Sequence, residues 1–375
     1  MKRIIFYLLL LPASASAQLT LPPSGDNQKS NVGQWIGPVE VKITYSSPDV
    51  HAPGGHDRKG RIWGEVAHYG FKDLQGIAGT SKISPWRAGA NENTVITFSH
   101  DVKVEGKDLK AGSYGLFLDV EKEGPWSWIF SKNYSSWGSF MYDSSEDALR
   151  VQIQPQEAAY TEYLTYSFDD RKGNSATAFL QWENKKVPFK IEIPQVNDLY
   201  VSILRNELRS TPALDYHNWV KAAQFCADNK VNLEEALTWA QRATNPVTGG
   251  TEDFSTLFTK SNVLNALGRS SEADATMERA VKLPSASMMA IHQYARGLLS
   301  AGKKEKALEI FRFNAKAHPE EKFVTYVGLA RGLAAGGNNK EAIKNWEIAL
   351  RNVPENQKAN ISNFEQEVKK LKEGK

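Results

Sequence analysis

The chain of 375 residues is 41% hydrophobic, long enough for two cores, since one core seldom grows beyond roughly 250 residues. A formal net charge of +3, with lysines and glutamates interspersed, excludes the concentrated basic surface of a nucleic-acid binder. A single cysteine, Cys226, excludes an internal disulfide, and its apolar helical setting reads as a small buried side chain.

Lys2 and Arg3 precede an apolar run from Ile4 to Leu11, and Ala13-Ser-Ala-Ser-Ala17 follows with small residues where a signal peptidase reads. This pattern predicts an exported protein, periplasmic or secreted, with residues 1–17 cleaved after Ala17. An apolar core of about eight residues is too short for roughly 30 Å of hydrocarbon. No cysteine follows the cleavage site to carry a lipid, and no later stretch is apolar enough to span.

From Val39 to Ile193 short alternating runs are broken by turn residues. Val39, Val41, Ile43 and Tyr45 alternate with Glu40, Lys42 and Thr44, giving one buried and one wet face. Runs at 95–98, 114–118, 126–130, 149–153, 163–168, 176–180 and 187–193 read likewise, with turns at 105–108, 122–125 and 169–174. Such spacing predicts an all-β sandwich, with Pro188 on an edge strand where its missing N–H leaves no ladder bond unmade.

Trp35, Trp63, Trp86, Trp126, Trp128, Trp137 and Trp182 all fall in this half. Most are expected in the core, because large rings supply much of the burial in such folds. Trp63 and Trp137 lie in Gly- and Ser-rich loops and are the candidates for exposed, glycan-stacking rings. Residues 48–85 lack clear strands, hold His51, His56 and His68, and lead into Trp86-Arg-Ala-Gly-Ala-Asn-Glu92. A long irregular stretch in a compact domain is more often functional than connective. His51, His56 and Asp57 invite a metal, yet His-x4-His matches no established ligand spacing, so none is expected. No Gly-x-Ser-x-Gly, His-Glu-x-x-His or phosphate loop is present, and no cofactor is implied. Arg87, Asn91 and Glu92 put a bidentate donor, an amide and a carboxylate beside small residues that let a ligand approach the backbone. The same arginine and asparagine equally suit a loop pinned to the sheet through backbone hydrogen bonds.

Tyr45-Ser-Ser-Pro48, Gly60-Arg-Ile-Trp-Gly64, Tyr69-Gly70, Trp86-Arg-Ala-Gly-Ala-Asn91, Ala111-Gly-Ser-Tyr114 and the Leu164 to Phe168 strand resemble the pattern of domain of unknown function 2911. That family is common in secreted proteins of Bacteroidetes and related bacteria. The resemblance covers about residues 28–193 and implies a compartment and a boundary but no activity. This chain departs from the pattern by inserting Phe71 to Ser84 before the Trp-Arg string.

Residues 194–211 read as a linker helix, with Leu199, Ile203, Leu204 and Leu208 at helical spacing. Beyond it, Ala273, Ala307 and Ala342 lie 34 and 35 residues apart, and Pro284, Pro319 and Pro354 lie 35 apart. Gly268, Gly302 and Gly337 mark the turns between paired helices. The pattern resembles the tetratricopeptide repeat, in which small residues let paired helices approach and a proline ends each second helix. Four such repeats span 212–356, the first looser than the rest, and 357–375 reads as a polar capping helix. The resemblance places Phe258, Asn262 and Asn265, then His292 and Arg296, then Val327 and Arg331 along one concave groove. These side chains suit an acidic or C-terminal carboxylate peptide, although the lysines of the known carboxylate clamp are missing, and they equally suit a merely solvated groove.

The leading expectation is a non-catalytic adaptor whose repeats bind a protein or peptide partner while the sandwich presents a second surface. A carbohydrate or envelope-polymer binding module, and a hydrolase built from the histidine loops with Arg87 and Glu92, are the alternatives.

Overall fold

The structure, a computed structural model, describes residues 24–52, 54–73 and 83–373. The leader expected at 1–17 lies outside them, as does most of the Phe71 to Ser84 insertion. The chain divides into two compact units, Met1–Val196 and Asn197–Lys375.

The strands of the first unit are β1 (Gln28–Ile36), β2 (Val39–Ser47), β3 (His51–Ala52), β4 (His56–Asp57), β5 (Ala67–His68), β6 (Thr94–Phe98), β7 (Val102–Val104), β8 (Lys107–Leu109), β9 (Gly112–Asp119), β10 (Trp126–Ser131), β11 (Asp147–Ile153), β12 (Gln156–Lys172) and β13 (Ser175–Glu192). Six form an antiparallel sheet in the order β1-β2-β6-β9-β10-β11, and four form a second in the order β12-β13-β7-β8. The alternation read along β2 holds, since Val39, Val41, Ile43 and Tyr45 are all buried. Aromatic contacts join the two sheets: the rings of Tyr45 and Tyr166 are 4.9 Å apart, and those of Trp128 and Phe189 5.2 Å. This is the expected sandwich.

Several details differ from the sequence reading. β1 carries no strong alternation because it is an outer strand, with Trp35 62% exposed. The runs at 163–168, 176–180 and 187–193 merge into one long hairpin, β12 with β13, whose register shifts absorb the polar residues between them. Pro188 sits in β13, which is not an edge strand. It nevertheless falls between the stretch paired with β12, ending at Lys186, and the stretch paired with β7, starting at Ile191. No ladder bond is lost there. The turn at Glu105-Gly106 has positive φ at both residues, 47° and 75°, the geometry of a tight two-residue hairpin.

The second unit consists of α1 (Val196–Glu207), α2 (Tyr216–Asn229), α3 (Leu233–Thr244), α4 (Phe254–Ala266), α5 (Ser270–Ala280), α6 (Met288–Ser300), α7 (Lys304–Ala317), α8 (Val324–Ala335), α9 (Asn339–Arg351) and α10 (Ile361–Lys372). Its pairs α2/α3, α4/α5, α6/α7 and α8/α9 are antiparallel helical hairpins of tetratricopeptide type. Ala273, Ala307 and Ala342 are fully buried at the packing faces of α5, α7 and α9. Gly268, Gly302 and Gly337 take φ of 78°, 76° and 81°, the left-handed conformation that ends the first helix of each pair. In the first pair Lys230 and Asn232 occupy that conformation instead, which explains the looser register. α1 packs into the first repeat's core through Val201, as does Leu208 just beyond its end, so the helix read as a linker is part of the helical unit. Cys226 is buried in the same core, and burial pushes its thiol up to about 11. α10 is less polar than its composition suggests: Phe364 stacks on Trp346 at 5.9 Å, and Val368 is buried.

Candidate functional site

In the sandwich the tryptophans divide sharply. Trp86, Trp126, Trp128 and Trp182 are buried. Trp63, expected as an exposed ring, instead sits half-buried at the centre of a cluster, its ring 5.9 Å from Trp86, 4.9 Å from Trp126 and 6.3 Å from Trp182. Its turn, Ile62–Val66, folds back under Tyr69, whose hydroxyl donates to the Trp63 carbonyl at 3.0 Å. Gly64 is required there, because a Cβ would lie 2.6 Å from the Tyr69 ring. Trp137 is exposed as expected, at 53%.

Arg87 and Asn91 close their own loop: the guanidinium donates to the Asn91 carbonyl at 2.7 Å and lies 5.0 Å from the centroid of Phe140. Ala88 and Asn91 both take positive φ, and the Ala88 carbonyl accepts the hydroxyls of Thr94 and Tyr166. Burial pulls the Arg87 guanidinium below its ordinary range. Glu92 turns to the sheet, accepting from Ser46 at 3.2 Å and lying 3.4 Å from Lys29 at the rim of a shallow depression of about 150 Å³.

His51, at the start of β3, meets a partner that sequence spacing did not suggest. Its Nδ1 is 2.9 Å from Glu162, which also accepts the His51 backbone N–H at 2.9 Å, the Val50 N–H at 3.1 Å and the Tyr160 hydroxyl. The hydrogen bond and the charge of Glu162 raise the His51 imidazole above its ordinary value. Partial burial works to raise Glu162, yet the bonds from Tyr160 and His51 outweigh it and hold the carboxyl at about 2. His56 is exposed on β4, and His68 is half-buried with Nδ1 3.0 Å from the Gly70 carbonyl. Among the described residues no hydrogen bond or ion pair joins any two of His51, His56, His68, Arg87 and Glu92, and no group of three or more His, Cys, Asp or Glu side chains is placed to hold a metal ion.

The helical unit carries larger concavities. The single groove read from the sequence resolves into two cavities on either side of α6. The first, about 640 Å³, is lined by Phe258, Asn262 and Asn265 of α4 together with Gln293, Tyr294 and Gly297 of α6. Phe258 is 37% exposed and stacks on Phe254 at 5.9 Å, while Asn262 donates to Gln224 at 3.0 Å. The second, about 530 Å³, brings together His292, Arg296, Val327 and Arg331, with Asn360, Asn363 and Glu367 from the α10 region. Those last residues were missed because the closing helix reads as polar capping. The spacing of Phe364, Val368 and Leu371 was the available sign that one face of α10 folds back onto the array.

Electrostatics sets this second cavity apart. Arg296 and Arg331 line it, and among the described residues neither makes an ion pair or hydrogen bond. Arg331 lies 5.8 Å from the Trp346 ring centroid, and burial, then Arg296, pulls its guanidinium below the ordinary range against the opposing charge of Glu367. Glu367 faces the same cavity but is bound to Lys370 at 2.9 Å. His292 is 4% exposed and its Nδ1 has no hydrogen-bond partner among the described residues. Burial, then Arg331 and Arg296, lowers its imidazole to about 4. It is therefore neutral near pH 7, and the arginines supply the charge.

Among the described residues no helix is long and apolar enough to cross a membrane. No curated protein matches the chain. Solved structures similar to it include MamA, 17% identical over 42% of this chain and 88% of that one with a TM-score of 0.31. They also include YrrB, described as a TPR protein with an unusual peptide-binding site, 16% identical over 45% of this chain and 84% of that one with a TM-score of 0.31, and a MamA fragment from Desulfovibrio magneticus RS-1, 17% identical over 43% and 96% with a TM-score of 0.27. The tetratricopeptide character of α2 to α9 rests on their own register of alanine, glycine and proline. Residues 27–191 match the family described as "Protein of unknown function (DUF2911)", so the chain joins a domain of that family to a tetratricopeptide-like helical array.

Proposed function

We propose that this protein is a non-catalytic adaptor, exported to the periplasm or beyond it, whose helical array grips an acidic segment of a protein partner while the sandwich offers a second binding surface. One observation carries the reading: Arg296 and Arg331 face a common cavity and, among the described residues, neither is in an ion pair, the neighbouring Glu367 being bound to Lys370. A guanidinium held this way presents a fork of donors to an incoming carboxylate, and each charge-assisted bond contributes about 1.5–3 kcal/mol. Gln357, Asn360 and Asn363 border the cavity and supply neutral donors and acceptors for a peptide backbone.

The test is binding of acidic and amide-substituted peptide pairs to the full-length protein and to the double variant Arg296→Glu, Arg331→Glu. Acidic members should bind selectively, and charge reversal should abolish the selectivity. Equal binding of acidic and amide peptides to the unaltered protein would rule the reading out. For the second surface, the exposed indoles of Trp35 and Trp137 favour a glycan, whose pyranose faces stack on flat rings. Glycan-dependent fluorescence quenching that disappears in Trp137→Ala and Trp35→Ala is expected, and a flat response over a broad glycan panel counts against it.

A further inference from the structure

α6 separates the two cavities, and its residues sort cleanly between them. At about 100° per residue, Ala290, Tyr294, Gly297 and Leu298 turn to the first cavity, while Met289, His292 and Arg296 turn to the second. Gln293 lies between these faces and borders both.

The first cavity falls at a seam in the helical core. Leu257 of α4 packs with the cluster that runs through α6 and α7, whereas Val263 and Leu264 of the same helix pack with the first repeat. Phe254, Phe258 and Leu298 give its wall an apolar character. Gly297 is informative because glycine inside a helix is unfavourable relative to alanine. Gly328 and Gly332 are explained by packing, since a Cβ at either would press on Phe311 or Leu308. A Cβ at Gly297 would meet nothing within 4 Å, so close helix packing does not require the glycine there and its missing side chain leaves the cavity open. The Tyr294 hydroxyl is buried at this cavity and has no hydrogen-bond partner among the described residues. Burial, then Asp274 and Glu278, pushes it up to about 12, so it stays a donor.

We propose that the partner's acidic segment also carries a large apolar side chain, aromatic or leucine-like, that enters the cavity between α4 and α6 while the carboxylate is held by Arg296 and Arg331. This rests on the acidic-segment reading above. The peptide crosses α6 over Gln293, and the Tyr294 hydroxyl donates to a carbonyl of the entering residue. A helix with its side chains is about 10 Å across, and an extended chain advances about 3.3 Å per residue. The apolar and acidic residues are therefore about three positions apart.

Fluorescence polarisation on the full-length protein tests this with labelled Gly/Ser peptides, capped at both ends, that bear one phenylalanine and one glutamate at varied separation in both orders. Binding should peak at separations near three and exceed that of the matching Ala/Glu peptide by roughly tenfold or more. Gly297→Leu, which fills the open cavity, should bring the two peptide series to the same affinity. Phe258→Ser should weaken only the phenylalanine series, and unchanged circular dichroism confirms folding of both variants. If phenylalanine adds nothing at any separation while glutamate dependence persists, the apolar subsite is wrong and the acidic reading stands. Loss of glutamate dependence in the unaltered protein removes both.

Discussion

The imidazole of His292 packs against Phe311 with ring centroids 5.4 Å apart, so a residue at the floor of a cationic cavity is held as an uncharged core side chain. Its folded value of about 4 lies below the ordinary 6.5. The unfolded chain therefore takes up the proton first as pH falls. The stabilising contribution is complete above about pH 6.5 and is lost as pH drops toward 4, reaching roughly 3 kcal/mol at most. Arg296, Arg331 and Glu367 are the other charged groups at the cavity. Urea unfolding of the wild type and of His292→Gln across this range should show a steeper loss of stability in the wild type. Parallel pH profiles would show that His292 does not titrate as argued.

The glycines of the array carry opposite predictions. At Gly328 a Cβ would approach Phe311 to 2.5 Å and His292 Nδ1 to 3.1 Å, so α8 lies against that face only because the side chain is missing. Gly328→Ala should cost about 1–3 kcal/mol through overpacking. Gly297→Ala meets open space and should stabilise the protein by up to about 1 kcal/mol through helix propensity. Thermal melts of the two single variants should therefore move in opposite directions, and a shared direction would contradict the packing described.

The array was legible because its rules are local and repeated. Ala273, Gly302 and Pro319 each have a physical reason to recur, tight approach, a left-handed turn and a missing donor, and the period exposes them. Where the same role fell to different residues, as with Lys230 and Asn232 in the first repeat, the register blurred. The groove residues were readable one helix at a time, but the division of the groove at α6 and the contribution of α10 depend on tertiary packing. In the sandwich the alternation of β2 was plain, whereas the pairing of His51 with Glu162 joins residues 111 positions apart, which no spacing rule reaches. Trp63 misled because Gly64 and its neighbours look like an exposed loop. The glycine is there to admit the Tyr69 ring.

That tryptophan cluster gives a sharp contrast. Trp63→Ala removes the ring that touches Trp86, Trp126 and Trp182, and it should cost about 3 kcal/mol, the lower end for large aromatic truncations because Trp63 is only half-buried. The near-ultraviolet circular dichroism of the sandwich should weaken with it. Trp137→Ala, at a 53% exposed position, should change stability by no more than about 0.5 kcal/mol. Similar denaturation midpoints for the two variants would mean that Trp63 does not organise the cluster.

Glu162 offers a test at the level of single groups. Its carboxylate raises the His51 imidazole and takes the His51 backbone N–H, while the Val50 N–H is shared between that carboxylate and the Glu162 backbone carbonyl at 2.9 Å. In Glu162→Ala the His51 titration followed by NMR should fall back toward about 6.5, the value of an unperturbed imidazole. The His51 amide should exchange faster with solvent, and the Val50 amide, which keeps its backbone acceptor, should change less. Because the raised imidazole favours the charged form, the pairing is strongest below the ordinary histidine value and weakens as pH rises through the folded one. An unmoved His51 titration in the variant would assign the shift to Asp57 or Asp49, whose charges also act on the ring, and the anchoring role of Glu162 would fail.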